Sequence, residues 1–374
     1  VDDELPNAFV ELNYPLPVED PSTIGALRRE VAFGIGMNIV ITRLQEDALR
    51  GEVPFFDPSF AANPLVRAQQ SPGLATSAEP EELAAATEGL LTEVERAIRF
   101  GFSEDELNRA VTDFRQSVDL ALASADSTQD WEFASYYVQH YLGTTPIPDA
   151  QTAHDISSEI LDQMTVGQVA DTFRATVTAT EPLIIVAGPA AAADVIPTDA
   201  ELMAIYTTVL TSEIEPRQDT GEIADGLMAA PAPVDIVSRS ELFPLDITVL
   251  ELENGVTLAH LQTDIAAGFV TFGAISAGGW SIAPDADVTE TQYGPGIVAR
   301  SGVAGFDQVE LERILSGTTA GAAPYVDITS EGWFGGAATG DLEILFQLVH
   351  LYMTRPRLDP AAFEIFDSEV RPLV

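Results

Sequence analysis

Apolar residues recur along the chain at two spacings, and the switches between them mark out its elements. AFVELNYPLP (8–17) has strand composition and ends at prolines, which cannot donate to a β-ladder. STIGALRREVAFGIGMNIVITRLQEDALRG (22–51) carries apolar residues at helical spacing, with Ser22 or Thr23 as the N-cap and Gly51 as the stop. The stretch that follows to about residue 76, rich in Pro, Phe and Asn, reads as a loop. EPEELAAATEGLLTEVERAIRFG (79–101) is a second helix closing at Gly101. SEDE (103–106) is a capping box that opens a third: Ser103 accepts from the backbone at Glu106, and Glu106 reaches back. The aromatic tract from STQDWEFASYYVQHYLG to about residue 143 reads as helical with its rings packed inward. A second capping box, TVGQ (165–168), opens VADTFRATV, and PLIIVAGP (182–189) is a short β-branched strand.

Beyond residue 190 the composition shifts to Ala, Pro, Asp and Thr, with one helix expected over 199–212 and a linker after it. DITVLELENGVTLAHLQTD (246–264) reads as a hairpin turning at Glu253-Asn254-Gly255, since Asn-Gly accepts positive φ cheaply. AAGFVTFGAIS (266–276) is a third strand, FDQVELERILSG a helix, and PYVDITSEGWFGGAA (324–338) another strand. DLEILFQLVHLYMTRPRL (341–358) is a helix with apolar residues at Leu342, Leu345, Phe346, Leu348, Leu351 and Tyr352. Strands separated by several helices predict an α+β fold rather than a doubly wound one. The expected division is a domain over 1–212, a linker over 213–242 and a second domain over 243–374, and both ends read as cut.

With 374 residues, 46% of them hydrophobic, the chain is long enough for two or three cored domains. It has no cysteine, which excludes disulfides, thiolate zinc sites and cysteine nucleophiles. Acidic residues number 59 against 17 basic ones, all of them arginine. A field of that sign repels phosphate backbones and anionic headgroups, so nucleic acid is excluded as a partner. The acids are scattered along the whole chain and read as a solvated surface, with an acidic cavity for cationic peptides as the alternative. No run of about 18 apolar residues is present, so no membrane span is expected.

The second half resembles the insulinase/pitrilysin family of zinc metallopeptidases, in its bacterial long-chain type. The resemblance rests on LENGVTLAHLQTD, SAGGWS, ERILSG and above all PYVDITSEGWFGGAATGDLEILFQLVHLYMTRPRLDPAAF. The first half is similar, through AFVELNYPLP, TRLQEDALRG and IIVAGP in that order, to the family's non-catalytic repeat. The resemblance implies four homologous α+β repeats closing around a peptide chamber. The first of them carries H-x-x-E-H, whose histidines bind zinc while the glutamate polarises its water.

None of His140, His154, His260 and His350 fits that motif: they open HYLG, HDIS, HLQT and HLYM. YGPGIVARSGVAGFD (293–307) stands where the family's third, degenerate repeat has the equivalent segment. The implied reading is a chain spanning the second repeat and most of the third, inactive by itself, with no catalytic or metal-binding residue of its own. Zinc then belongs to the parent protein, whose missing N-terminal catalytic repeat and C-terminal repeat are partners, along with a peptide substrate. The resemblance also implies a periplasmic or cell-envelope location. A rival reading is a non-catalytic partner or assembly subunit of the same fold.

Of the remaining candidates, Arg50 is the weak one for substrate contact, because family members use an arginine–tyrosine pair in the final repeat. Here Phe55 and Phe56 stand where the tyrosine would be. His350, His260 and His140 read as packed or rim histidines, and His154-Asp155 as the approach to a helix. Gly278-Gly279 and Gly335-Gly336 lack the Lys-Ser/Thr of a phosphate loop. APDADVTE (283–290) reads as a surface turn, and Glu81-Glu82 and Glu104-Asp105 as helix-start acids favoured by the macrodipole.

Overall fold

The computed structural model describes residue 5 and residues 8–66, 68–143, 145–217, 226–229, 231–263 and 265–370. The ends of the chain read as cut (1–4 and 371–374) and the middle of the expected linker (218–225) lie outside the described residues. The fold is α+β, with every described strand pairing antiparallel.

In the first half, strand β1 (Ala8–Asn13) and the short β2 (Leu16–Pro17) lead into helix α1 (Ile24–Leu49). Thr23 caps α1 by accepting from the Ala26 N–H at 3.1 Å. The expected loop is instead a hairpin of β3 (Phe56–Val66) and β4 (Gln69–Ala78). Its prolines disguised it. β3 is an edge strand with register breaks after Phe56 and after Pro64, so Pro58 and Pro64 owe no donor to an outer neighbour. The sheet runs β2-β4-β1-β5, with β3 on β4 and the closing strand β5 (Leu183–Ala187) on the far side of β1.

Between β4 and β5 come α2 (Leu83–Phe100), α3 (Glu104–Ala123), α4 (Asp130–Gly143), α5 (Ala150–Asp162) and α6 (Val166–Val177). Both capping boxes form, Ser103 with Glu106 and Thr165 with Gln168. Helices α1, α2 and α6 bury Ile35, Met37, Leu44, Leu90, Val169 and Phe173 against Val10, Leu12 and Leu74 of the sheet. At about 1.5–3 kcal/mol per large side chain removed from water, this core dominates the stability of the first half. Two expectations fail here. The aromatics of α4 face outward, because no α4 residue is buried. His154-Asp155 lies inside α5 rather than before a helix.

After α7 (Asp199–Thr211), β6 (Ile236–Leu242) falls within the range expected to be linker and pairs with β7 (Ile247–Leu252), which pairs with β8 (Thr257–His260). The Asn254 side chain accepts from the Val256 N–H at 3.1 Å in the β7–β8 turn. Strand β9 (Phe269–Ala277), helix α8 (Val288–Arg300) and helix α9 (Gln308–Leu315) follow. The single strand expected over 324–338 is a hairpin, β10 (Gly321–Val326) and β11 (Ser330–Ala338), turning at 327–329. Helices α10 (Leu342–Thr354) and α11 (Pro360–Val370) complete the described chain.

The two halves repeat one plan. In each, a strand leads to helix (α1 in the first half, α8 and α9 in the second), then to a hairpin whose second strand returns antiparallel to the first, then to two helices. The second half buries Leu345, Leu348 and Leu351 of α10 with Ala337 of β11 and Val303. Among the described residues, no helix is long and apolar enough to cross a membrane.

Candidate functional site

A cavity of about 430 Å³ opens where the two halves meet, walled by the C-terminal part of α1, the ends of α2 and α3 that face each other, α9 and the segment at Arg217. Its walls are built by ion pairs. Arg43 on α1 is 5% exposed and donates to Glu93 at 3.0 Å, to both oxygens of Glu106 at 2.5 and 2.8 Å, and to the Gly101 carbonyl at 3.1 Å. Its guanidinium also lies over the Phe102 ring, 5.3 Å from the centroid. Glu93, itself buried, takes a second pair from Arg96. Glu106 therefore serves twice, capping α3 through the Ser103 N–H and fixing α3 to α1 through Arg43.

One turn further along α1, Glu46 is 5% exposed and receives Arg313 of α9 through Nε and Nη2, both at 2.8 Å. Arg217, from the segment between the halves, reaches the same carboxylate at 3.2 Å, Asp47 at 2.8 Å and the Arg43 carbonyl at 3.3 Å. Burial alone would raise the Glu46 carboxyl, but the hydrogen bonds and charges of Arg313 and Arg217 hold it below the usual carboxylate range. For Glu106, burial is likewise outweighed by Arg43 and the cap hydrogen bonds. Glu312 on α9 shifts the other way: desolvation by the cavity wall raises it, and the nearby Glu46 charge adds to that, against a hydrogen bond from Gln308. Glu312 is nevertheless exposed to solvent on its outer side, which tempers that shift.

Two further contacts cross between the halves. Asp113 of α3 accepts from Ser316 Oγ at 3.0 Å and the Gly317 N–H at 2.6 Å. Asp341 accepts from Gln116 at 3.0 Å and from the Thr319 N–H at 2.8 Å. Chemically the arrangement is a clamp. Glu46 and Glu106 are ionised and occupied by guanidinium groups, so neither is poised to take a proton from water.

The segment 293–307 is helical over most of its first half, as the C-terminal part of α8, and its inner face is filled by packing. A Cβ on Gly296 would come within 2.6 Å of Phe366, so glycine is what lets α11 approach there. Tyr293 and Arg300 pack on the same ring, at 6.2 and 5.5 Å from its centroid. Gly294, Ile297 and Val298 line an apolar groove with Leu358 and Phe363.

The histidines are dispersed. His154 bridges Asp119 at 2.9 Å and Asp155 at 3.4 Å, tying α5 to α3, and His140 meets the Thr145 carbonyl at 2.8 Å. His260 ends β8, and His350 lies exposed on α10. Among the described residues no three His, Asp or Glu side chains converge on a point that could hold a metal ion, so the described residues do not fit a zinc centre. Asp285 and Asp287 of the 283–290 turn belong to a short 3-10 turn before α8. Arg50 sits at the C-terminal end of α1, with its guanidinium 3.8 Å from Glu46. Sequence reading missed the Glu46–Arg217–Arg313 cluster; its one local trace is the Arg43–Glu46 spacing, which puts both charges on one side of α1.

No family model matches the chain. It is 22% identical over 316 residues, 84% of its length, to a zinc protease PQQL-like protein of Arabidopsis thaliana, and spans 30% of that relative. In fold it is similar over its whole length to the periplasmic protease PqqL of Escherichia coli, at a TM-score of 0.55 and 18% identity, spanning 41% of it. The first half of PqqL by itself matches 58% of the chain at a TM-score of 0.54 and 17% identity, 47% of that half being covered. Pitrilysin matches 99% of the chain at a TM-score of 0.54 and 9% identity, with 38% of pitrilysin covered. In sequence over most of its length the chain is thus similar to a zinc protease PQQL-like protein, and in fold throughout it is similar to the proteases PqqL and pitrilysin.

Proposed function

We propose that the chain is the non-catalytic central part of a pitrilysin-like zinc metalloendopeptidase. It would hold a second repeat (1–212), a connecting segment (213–242) and most of a degenerate third repeat (243–374). Its role is to form wall and hinge of a chamber for peptides, while H-x-x-E-H and its zinc lie on another repeat of the same protein. The parent hydrolyses peptides, and a periplasmic location is proposed from the likeness to PqqL.

The observation that carries this reading is the shared carboxylate of Glu46. One buried side chain in the first half is held at once by the second half, through Arg313, and by the segment between them, through Arg217. That is the arrangement a hinge needs: a fixed point with charged contacts able to exchange for water. The match to PqqL running through the full chain, and to its first half over 58% of it, supports a piece that straddles two halves. The apolar packing of α8 on Phe366 suits a repeat kept for shape.

Sequencing the transcript upstream of the Val1 codon tests the reading. An in-frame H-x-x-E-H supports it. A complete message without that motif contradicts it and leaves the partner-subunit reading.

A further inference from the structure

Helix α4 carries aromatic and aliphatic side chains over most of its circumference, leaving a narrow polar stripe of Glu132, Ser135 and Gln139, and none of its residues is buried. Trp131 is 70% exposed, Tyr137 63% and Tyr141 84%, with Phe133, Tyr136, Val138 and Leu142 exposed beside them. A helix of 14 residues is marginal in water without tertiary support, and an apolar face as broad as this one is normally covered. A contiguous exposed patch of this kind marks an interaction surface.

Charge selects what covers it. At a net charge of −42, a second copy of the chain, an acidic protein or a phosphate-bearing surface meets like-charge repulsion. Asp126 and Asp130 are exposed at the start of α4, with Glu132 on its first turn. The one basic side chain on the helix, His140, is engaged with the Thr145 carbonyl. Aromatic faces beside carboxylates fit guanidinium and ammonium groups, which gain from the ring and the acid together. Their aliphatic stems lie along apolar surface while the charged heads stay wet.

We propose that α4 is a docking surface for a basic amphipathic polypeptide segment, one in which arginine or lysine alternates with aliphatic residues. The surface lies outside the Glu46 cavity and uses none of its residues.

The test is fluorescence anisotropy of a fluorescein-labelled peptide of alternating Arg-Leu pairs, titrated with the intact chain at low salt. The same peptide with Glu in place of Arg serves as control. Saturable binding of the basic peptide alone is expected, weakened by at least about tenfold in the variant Trp131→Ser, Tyr137→Ser, Tyr141→Ser. Because that variant also lowers the helix-forming drive of α4, the companion Trp131→Phe, Tyr137→Phe, Tyr141→Phe is made as well. It is expected to bind within about threefold of the native chain, since rings remain. Equal binding by native chain and serine variant, tight binding of the acidic peptide, or no binding at all overturns the proposal. So does a dimer seen by sedimentation that the serine variant dissolves, which makes a second copy the occupant.

Discussion

Glu46 and Arg313 are 267 residues apart in the chain and meet through two hydrogen bonds of 2.8 Å, with Glu46 buried in the cavity wall. The pair joins the repeated plan of the first half to that of the second, and Arg217 of the connecting segment completes it. The charges that define the centre of this molecule are thus supplied by three separate stretches of sequence.

Removing one member weakens the compensation of a buried charge: without Arg313, Glu46 keeps Arg217 at 3.2 Å. Arg313→Ala is expected to destabilise the chain by about 1–3 kcal/mol, below the cost of a wholly orphaned buried carboxylate because Arg217 remains. Urea unfolding followed by tryptophan emission measures the loss. Small-angle scattering should also show a larger radius for the variant. A radius unchanged within error, together with unchanged stability, would mean that the halves are held elsewhere.

The cavity carboxylates respond to pH in opposite senses. Glu46 and Glu106 are depressed in the folded chain, so they contribute stability above the ordinary value of 4.5, and that stability is lost as pH falls through their folded values. Glu312 is raised, so its ionisation works against the fold at neutral pH and costs nothing once both states are protonated. Glu312→Gln is therefore expected to raise the thermal midpoint at pH 7 and to leave it unchanged near pH 4. A gain of equal size at both values would contradict the assignment.

Gly279, at the end of the SAGGWS stretch, has φ +88°, and a Cβ there would stand 2.4 Å from the Asp327 carbonyl oxygen. Its own backbone is the approach point of the β10–β11 turn, since the Trp280 N–H donates to Asp327 O at 3.0 Å. Gly279→Ala is expected to cost on the order of 3 kcal/mol, from left-handed strain plus the clash. Chemical denaturation checks this, with Gly294→Ala as a control, since a Cβ at Gly294 meets nothing within 4 Å.

What was legible in the sequence was what is local. Thr23, Ser103 with Glu106, and Thr165 with Gln168 announce helix starts because a cap is written within four residues. Asn254 marks its turn for the same reason. The β3–β4 hairpin was hidden because Pro58 and Pro64 argue against a strand unless its edge position is known, and pairing decides that. Pro324 and the continuous apolar run around it concealed a turn at 327–329. The rings of α4 have the composition of a core and were read as one; among the described residues none covers them. The resemblance to the metallopeptidase family was carried by short blocks such as SAGGWS, ERILSG and PYVDITSEGWFGG and by their order along the chain. Of the Glu46 cluster only the Arg43–Glu46 spacing was legible, since no pattern within α1 points to Arg217 or Arg313.

The central claim is that this chain shapes a peptidase without supplying its chemistry. The direct measurement is the zinc content of the purified, dialysed chain by elemental analysis, beside chelator-sensitive cleavage of a quenched peptide library. The expected result is no bound zinc and no cleavage. Stoichiometric zinc with cleavage abolished by chelator would show that the chain assembles a metal centre of its own, and the claim would fall.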